Sequence, residues 1–237
     1  MMLPLLKTFL GVNIMIFKLI FILKFLLYQM DTKSLIFNEN LIKEKIFPCN
    51  SPKRISLHDN FFTKAAVLFS IVPHIDKPYE LILIHRSNMG TRHRGEMSFP
   101  GGKFEPKADK NLIDTALRET EEEIGVPRSN VKIIGCLNDF PTISKFIVTP
   151  FLGLINSDQA LKRDEREVQK ILKVPIDFFI NKTNFTEQEF EVGNERFPVF
   201  YFNYFNEENG QFYTIWGATA FLITHFVELI YNVQIGS

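Results

Sequence analysis

The sequence predicts an α/β fold, a mixed β-sheet sandwiched between α-helices, and three observations predict it. Residues 65–72 and 80–85 are short apolar runs separated by Pro73 and Pro78, the pattern of strands buried in a sheet. Residues 112–124 carry Ile113, Ala116, Leu117, Thr120 and Ile124 at helical spacing, beside a face crowded with glutamates. Apolar runs at 131–137 and 149–154 then precede a terminal helix over 216–227, so strands interleave with two helices.

Taken in chain order, the first element is an apolar segment over residues 1–30, without an acidic residue and interrupted by Lys7, Lys18 and Lys24. Its longest uncharged run, residues 8–17, is shorter than the ~20 apolar residues of a clean membrane-spanning helix. Three readings stay open: a membrane anchor or uncleaved signal, a mitochondrial-type presequence, or a translation start at Met30 that leaves this segment out of the protein. Residues 31–60 form a polar lead-in whose Leu35, Leu41, Ile42 and Ile46 fit a short helix before Pro48. The remaining residues, 61–235, form a single domain.

The helix over 112–124 holds the chemistry. At about 100° per residue, Glu119, Glu122 and Glu123 fall at i, i+3 and i+4 and share a face. Carboxylates about 4 Å apart repel by roughly 4 kcal/mol per pair where the effective dielectric is about 20. A hard divalent cation with oxygen ligands offsets that cost, with Mg2+ or Mn2+ the usual occupant. Gly125 is placed to end the helix in a left-handed conformation, and Pro127 prevents easy continuation. Gly101 and Gly102 let the preceding turn come close to the same spot.

These residues carry a resemblance. Gly102 followed by Arg118-Glu119-Thr120-Glu121-Glu122-Glu123-Ile124-Gly125-Val126 resembles the Nudix box, the loop-helix-loop motif of hydrolases that cut a diphosphate linked to another moiety. The upstream Arg86-Ser87, His93 and Gly95-Glu96-Met97-Ser98-Phe99-Pro100-Gly101-Gly102 are similar to the coenzyme A diphosphatase branch. So are Glu167-Val168, Val174-Pro175-Ile176-Asp177-Phe178-Phe179 and Ile215-Trp216-Gly217-Ala218-Thr219-Ala220. The chain departs from the box at Lys110, where a glutamate is usual and Glu105 and Asp109 are the nearby acids, and from the branch at Thr91, where arginine is usual and Arg92 follows.

The resemblance implies the Nudix fold and metal-dependent hydrolysis of coenzyme A or acyl-coenzyme A to 3′,5′-ADP and (acyl-)4′-phosphopantetheine. The alternatives are the same chemistry on ADP-ribose or dinucleoside polyphosphates, and a non-catalytic nucleotide-sensing module. Glu119, Glu122 and Glu123 would hold the metal, with water as the nucleophile and Glu167 as its base, Glu122 and Glu123 being alternatives in that role. Arg118 would pair with Glu122 or brace a loop acid, orienting the ligands. Arg86, Arg92, His93 and Arg94 form the basic cluster beside the site, facing the substrate with Gly101 and Gly102.

Composition excludes other classes. With 27 Lys+Arg against 27 Asp+Glu there is no electrostatic footprint for nucleic acid, so the expected partner is a small-molecule substrate. Membrane contact is expected only through residues 1–30, and a homodimer stays open. Cys49 and Cys136, far apart in sequence and without metal-ligand spacing, read as free thiols of a reducing compartment. The expected location is intracellular, mitochondrial or cytoplasmic. The ending Ile235-Gly236-Ser237 gives no support for a peroxisomal address.

Overall fold

The computed structural model describes residues 35–87, 95–192 and 195–236. The segment 1–34 and the cluster Arg92, His93 and Arg94 therefore lie outside the described residues. Strand β1, Thr63–Val72, is the axis of the main sheet. It runs parallel to β7, Phe146–Ile155, which pairs in turn with β5, Val131–Cys136. Its other neighbour, β2 (Glu80–Arg86), pairs antiparallel with it only from Ser70↔Ile82 to Val72↔Glu80.

Beyond that short ladder β1 and β2 separate, and two small strands fill the opening. Strand β3, Met97–Ser98, pairs with β2, whereas β4, Gly101–Lys103, pairs with β1. The turn between them is thereby held inside the sheet. Strands β6, Phe140–Pro141, and β8, Val168–Pro175, complete this sheet by pairing with β7 and β2. A second, antiparallel sheet consists of β9 (Phe185–Val192), β10 (Glu195–Asn206) and β11 (Gln211–Trp216), with β10 central.

Helices cover both faces of the main sheet. On one side α2, Leu112–Ile124, packs Ala116 and Ile124 against Ala66, Leu68, Ile82 and Ile84. On the other side α4, Gly217–Tyr231, and the second sheet enclose an aromatic core in which Phe69 stacks on Phe99 at 4.3 Å and meets Phe226 at 4.6 Å. The mixed sheet between helices is the architecture the apolar runs predict. Strands β8 to β11 and the short α3, Ile176–Ile180, have no counterpart in that prediction. Strand β9 reads FTEQEFEV, and an edge strand with so many polar residues gives little apolar signal.

The polar lead-in is built into the fold. Its helix α1, Glu39–Lys45, is capped by Asn38, whose Oδ1 accepts from the Leu41 N–H at 3.1 Å. Ile42 and Ile46 are buried in the aromatic core, and Phe47 makes an antiparallel bridge to Cys136. That bridge brings Cys49 beside Cys136 despite their separation in sequence, and both remain free thiols. Each buried isoleucine stabilises the fold by about 1.5–3 kcal/mol. A variant lacking residues 1–47 is therefore expected to melt well below one lacking only residues 1–29, as thermal unfolding would show; equal melting temperatures would contradict this packing argument. Among the described residues no helix is long and apolar enough to cross a membrane.

Candidate active site

Helix α2 begins and ends on local chemistry. Asn111 caps it, its Oδ1 accepting from the Asp114 N–H at 3.0 Å, and Gly125 closes it with φ 70°. The expected apolar stripe is modified in one respect. Ile113 and Leu117 are only half-buried, whereas Glu123 lies in the buried stripe with Ala116, Thr120 and Ile124. A carboxylate occupies that position because β4 supplies a partner, the Gly101 N–H donating to Glu123 Oε2 at 2.9 Å.

The other oxygen of Glu123 is less well satisfied. Arg86 Nη1 lies 2.9 Å from Oε1 as an ion pair, and that buried oxygen accepts no hydrogen bond. Burial pushes the Glu123 carboxyl up to about 8, and the charges of Glu119 and Glu167 push the same way against Arg86 and the Gly101 N–H. Glu119 is also raised, first by burial, while Arg118 opposes the shift and Glu122 and Glu167 add to it. Glu122 points outward, its side chain 56% exposed. Glu167, in the loop before β8, is exposed, and its backbone carbonyl accepts from the Ser87 N–H at 2.8 Å beside the end of β2.

Arg118 reaches three carboxylates. Its Nη1 donates to Glu119 Oε1 at 2.8 Å and to Glu122 Oε2, one helical turn on, at 3.0 Å. Its Nε and Nη2 grip Asp109 bidentately at 2.8 and 3.1 Å. Asp109 also accepts from Thr115 Oγ1 and the Glu105 N–H, both at 2.9 Å, so both of its oxygens are engaged within the protein. The arginine draws Asp109 down to about 2. Because the folded value is depressed, this contribution to stability is present above about pH 4, the unfolded value, and is lost as pH falls towards 2. Asp109→Asn is expected to cost roughly 3 kcal/mol at neutral pH. Acid titration of both proteins would show the difference vanishing near pH 2; a constant difference would refute the assignment.

The two glycines lie where a side chain would collide with the site. A Cβ on Gly102 would stand 2.4 Å from Glu119 Cδ, and one on Gly101 would stand 2.4 Å from the carbonyl oxygen of Ala66. The structure thus gathers Glu119, Glu123, Glu167, Arg86, Arg118, Gly101 and Gly102 around the opening between β1 and β2, with Glu122 at its rim. Among the described residues no three acidic, histidine or cysteine side chains converge closely enough to hold a metal as they stand. Arg118 draws Glu119 and Glu122 to itself, and Arg86 faces Glu123. The donor set still suits a hard cation, since Glu123 Oε1 is buried without a hydrogen bond and burial works against a charge on Glu119. Sequence reasoning did not single out Ser98, whose buried Oγ on β3 likewise lacks a partner. Only the pairing of Ser98 with Ile84, on the face that packs against α2, reveals its position.

A model of the NUDIX domain matches residues 65–195. The chain is 33% identical over 180 residues to a Photorhabdus laumondii protein named "Uncharacterized Nudix hydrolase NudL", an alignment covering 76% of this chain and 89% of that one. A Pectobacterium atrosepticum protein of the same name is 35% identical over 160 residues, covering 68% and 79%. Among solved structures, a NUDIX hydrolase from Alicyclobacillus acidocaldarius is similar with a TM-score of 0.44 and 16% identity, covering 77% of this chain and 100% of the other.

Proposed function

The chain belongs to the NUDIX family, and from that premise we propose that it hydrolyses the diphosphate of coenzyme A or an acyl-coenzyme A to 3′,5′-ADP and (acyl-)4′-phosphopantetheine. It is a Nudix hydrolase, an enzyme of diphosphate chemistry on small molecules. The observation that carries the reading of the site is the buried carboxylate of Glu123, held by the Gly101 N–H beneath the Gly101-Gly102 turn with Glu119 and Glu167 near enough to oppose its ionisation. A fold keeps such a costly arrangement when function requires it. Choice of coenzyme A rests on the resemblance of the segment from Arg86 to Gly102, and of Glu167-Val168 and 215–220, to the coenzyme A diphosphatase branch.

Enzymes of this family need divalent cations, and in this chain Glu119, Glu122 and Glu123 would hold Mg2+ or Mn2+. When bound, the metal supplies charge neutralisation at the diphosphate and a more acidic water. Glu167 takes the proton of the attacking water, whose oxygen bonds to phosphorus as the bridging P–O bond breaks. Arg118, fixed by Asp109, sets the directions of Glu119 and Glu122. Arg86 stands beside Glu123, positioned to exchange the carboxylate for phosphate oxygens. Gly101 holds Glu123 through its N–H, and Gly102 leaves room for Glu119.

Incubation of the full chain with coenzyme A, dephospho-coenzyme A, ADP-ribose and a dinucleoside polyphosphate, followed by product analysis, tests this. Coenzyme A is expected to be cleaved with kcat/KM about tenfold or more above its dephospho form, given roughly 1.5–3 kcal/mol for a charge-assisted contact to the 3′-phosphate. Chelator should abolish activity and Mg2+ or Mn2+ restore it. Equal use of the two coenzyme forms would favour the ADP-ribose alternative, and full activity in excess chelator would exclude the metal mechanism.

A further inference from the structure

Across the β3 edge from the carboxylates lies a groove of about 620 Å³ that their chemistry leaves unused. It opens between β3 with the adjoining end of β2 and the edge strand β11, and it is lined by His85, Met97, Tyr201, Tyr213 and Trp216 among others. Its described lining contains no Asp, Glu, Lys or Arg. Tyr201 and Trp216, cross-strand partners on β10 and β11, stack with planes 7° apart and centroids 6.2 Å apart, and Trp216 is 41% exposed. On the other face of β11, His85 meets the edge of Tyr213 at 5.4 Å and is tied by its Nε2 to the Gly95 carbonyl at 3.1 Å.

Two chain segments pass from the groove to the carboxylate site on the opposite face of the sheet. His85 lines the groove, and the next residue, Arg86, reaches Glu123. Met97 lines it as well, three residues before the Pro100-Gly101-Gly102 turn. A substrate with its diphosphate at that turn has a path around β3 for one of its two arms. The described lining offers no charged partner, which favours an uncharged part of the substrate, and a flexible amide arm would lose rotational freedom on entering it. A flat heteroaromatic ring loses none of its own and can stack on an exposed aromatic face, with Gln211 and Thr214 in the lining as hydrogen-bonding groups for its edge.

We propose that this groove is the base-binding subsite of the enzyme, receiving the purine ring of the nucleotide arm against Tyr201 and Trp216; the proposal rests on the reading of the site as a nucleotide diphosphatase. Trp216 is the single tryptophan of the chain, so its fluorescence reports directly on the groove. With the full-length protein in magnesium buffer, titration with adenosine 3′,5′-bisphosphate is expected to quench or shift that emission saturably, and 4′-phosphopantetheine is not. Trp216→Ala should raise KM for the preferred diphosphate about 10- to 100-fold with kcat little changed, and Trp216→Phe should restore most of the loss. Unchanged emission with the adenosine nucleotide in a catalytically active enzyme, or a response to 4′-phosphopantetheine in its place, would overturn the subsite and leave the diphosphatase standing. Absence of turnover on every diphosphate tested would overturn the functional reading itself, and the fluorescence titration would still decide whether the groove takes a purine. Should Trp216→Ala fail to fold, the titration of the native protein decides alone.

Discussion

Glu123→Gln is expected to lower turnover about a thousandfold while making the metal-free protein more stable, not less, at pH 8. Loss of one preorganised charge at a reacting phosphate costs roughly 4 kcal/mol of barrier by analogy with other electrostatic catalytic groups. Stability moves in the opposite direction because the carboxyl is buried and its folded value stands at about 8, above the unfolded value near 4.3. A group raised in this way contributes stability that is fully present below the unfolded value and is lost as pH rises through the folded one. Glutamine keeps the shape and the acceptor for the Gly101 N–H without that loss. Melting curves of both proteins in chelator, from pH 5 to pH 9, should therefore diverge as pH rises. A glutamine variant that unfolds more readily throughout would show that Glu123 serves the fold and not the chemistry. Glu122→Gln, at an exposed position, should lose comparable activity with almost no change in melting temperature.

The two adjacent glycines are expected to fail in different ways. At Gly101 an added Cβ would meet backbone, 2.4 Å from Ala66 O and 2.6 Å from Val67 Cα, and φ there is +156°. Backbone cannot step aside cheaply, so Gly101→Ala should cost about 3 kcal/mol or more and give little folded protein. At Gly102 the obstacle is the end of a flexible side chain, the Glu119 carboxylate at 2.4 Å. Gly102→Ala should accordingly fold, with a stability loss of about 1 kcal/mol, yet lose about a hundredfold in kcat because a ligand is displaced by about 1 Å. Circular dichroism with steady-state kinetics on both variants checks this. Equal activity of Gly102→Ala and the native enzyme would mean that Glu119 does not work from the position described.

Local signals explain which features were readable in advance. Helix α2 is predicted over 112–124 and observed as Leu112–Ile124 because its stop signal, Gly125, and its 3.6-residue period are written into consecutive residues. Strands β1, β2, β5 and β7 were likewise visible as apolar runs, since both faces of the sheet are covered. Helical spacing put the acidic trio on one face, whereas the glycine turn and Arg118 were picked out through the resemblance to the Nudix box.

What the tertiary structure decided is the condition of each of those groups. Helical spacing puts Glu119, Glu122 and Glu123 on one face, but only the docking of β4 on β1 makes Glu123 buried and Glu122 exposed. Lys110 stands where the family box usually has its glutamate, and only the fold shows that Asp109, one residue earlier, grips Arg118 with both oxygens. The pairing of β8 with β2 brings Glu167, more than forty residues downstream of Glu123, near enough to bear on its ionisation. Composition and period act over a few residues along the chain, whereas burial and charge coupling act through space. The candidate residues were therefore legible in the sequence, and their burial and charge coupling were set by the packing of strands that the sequence keeps far apart.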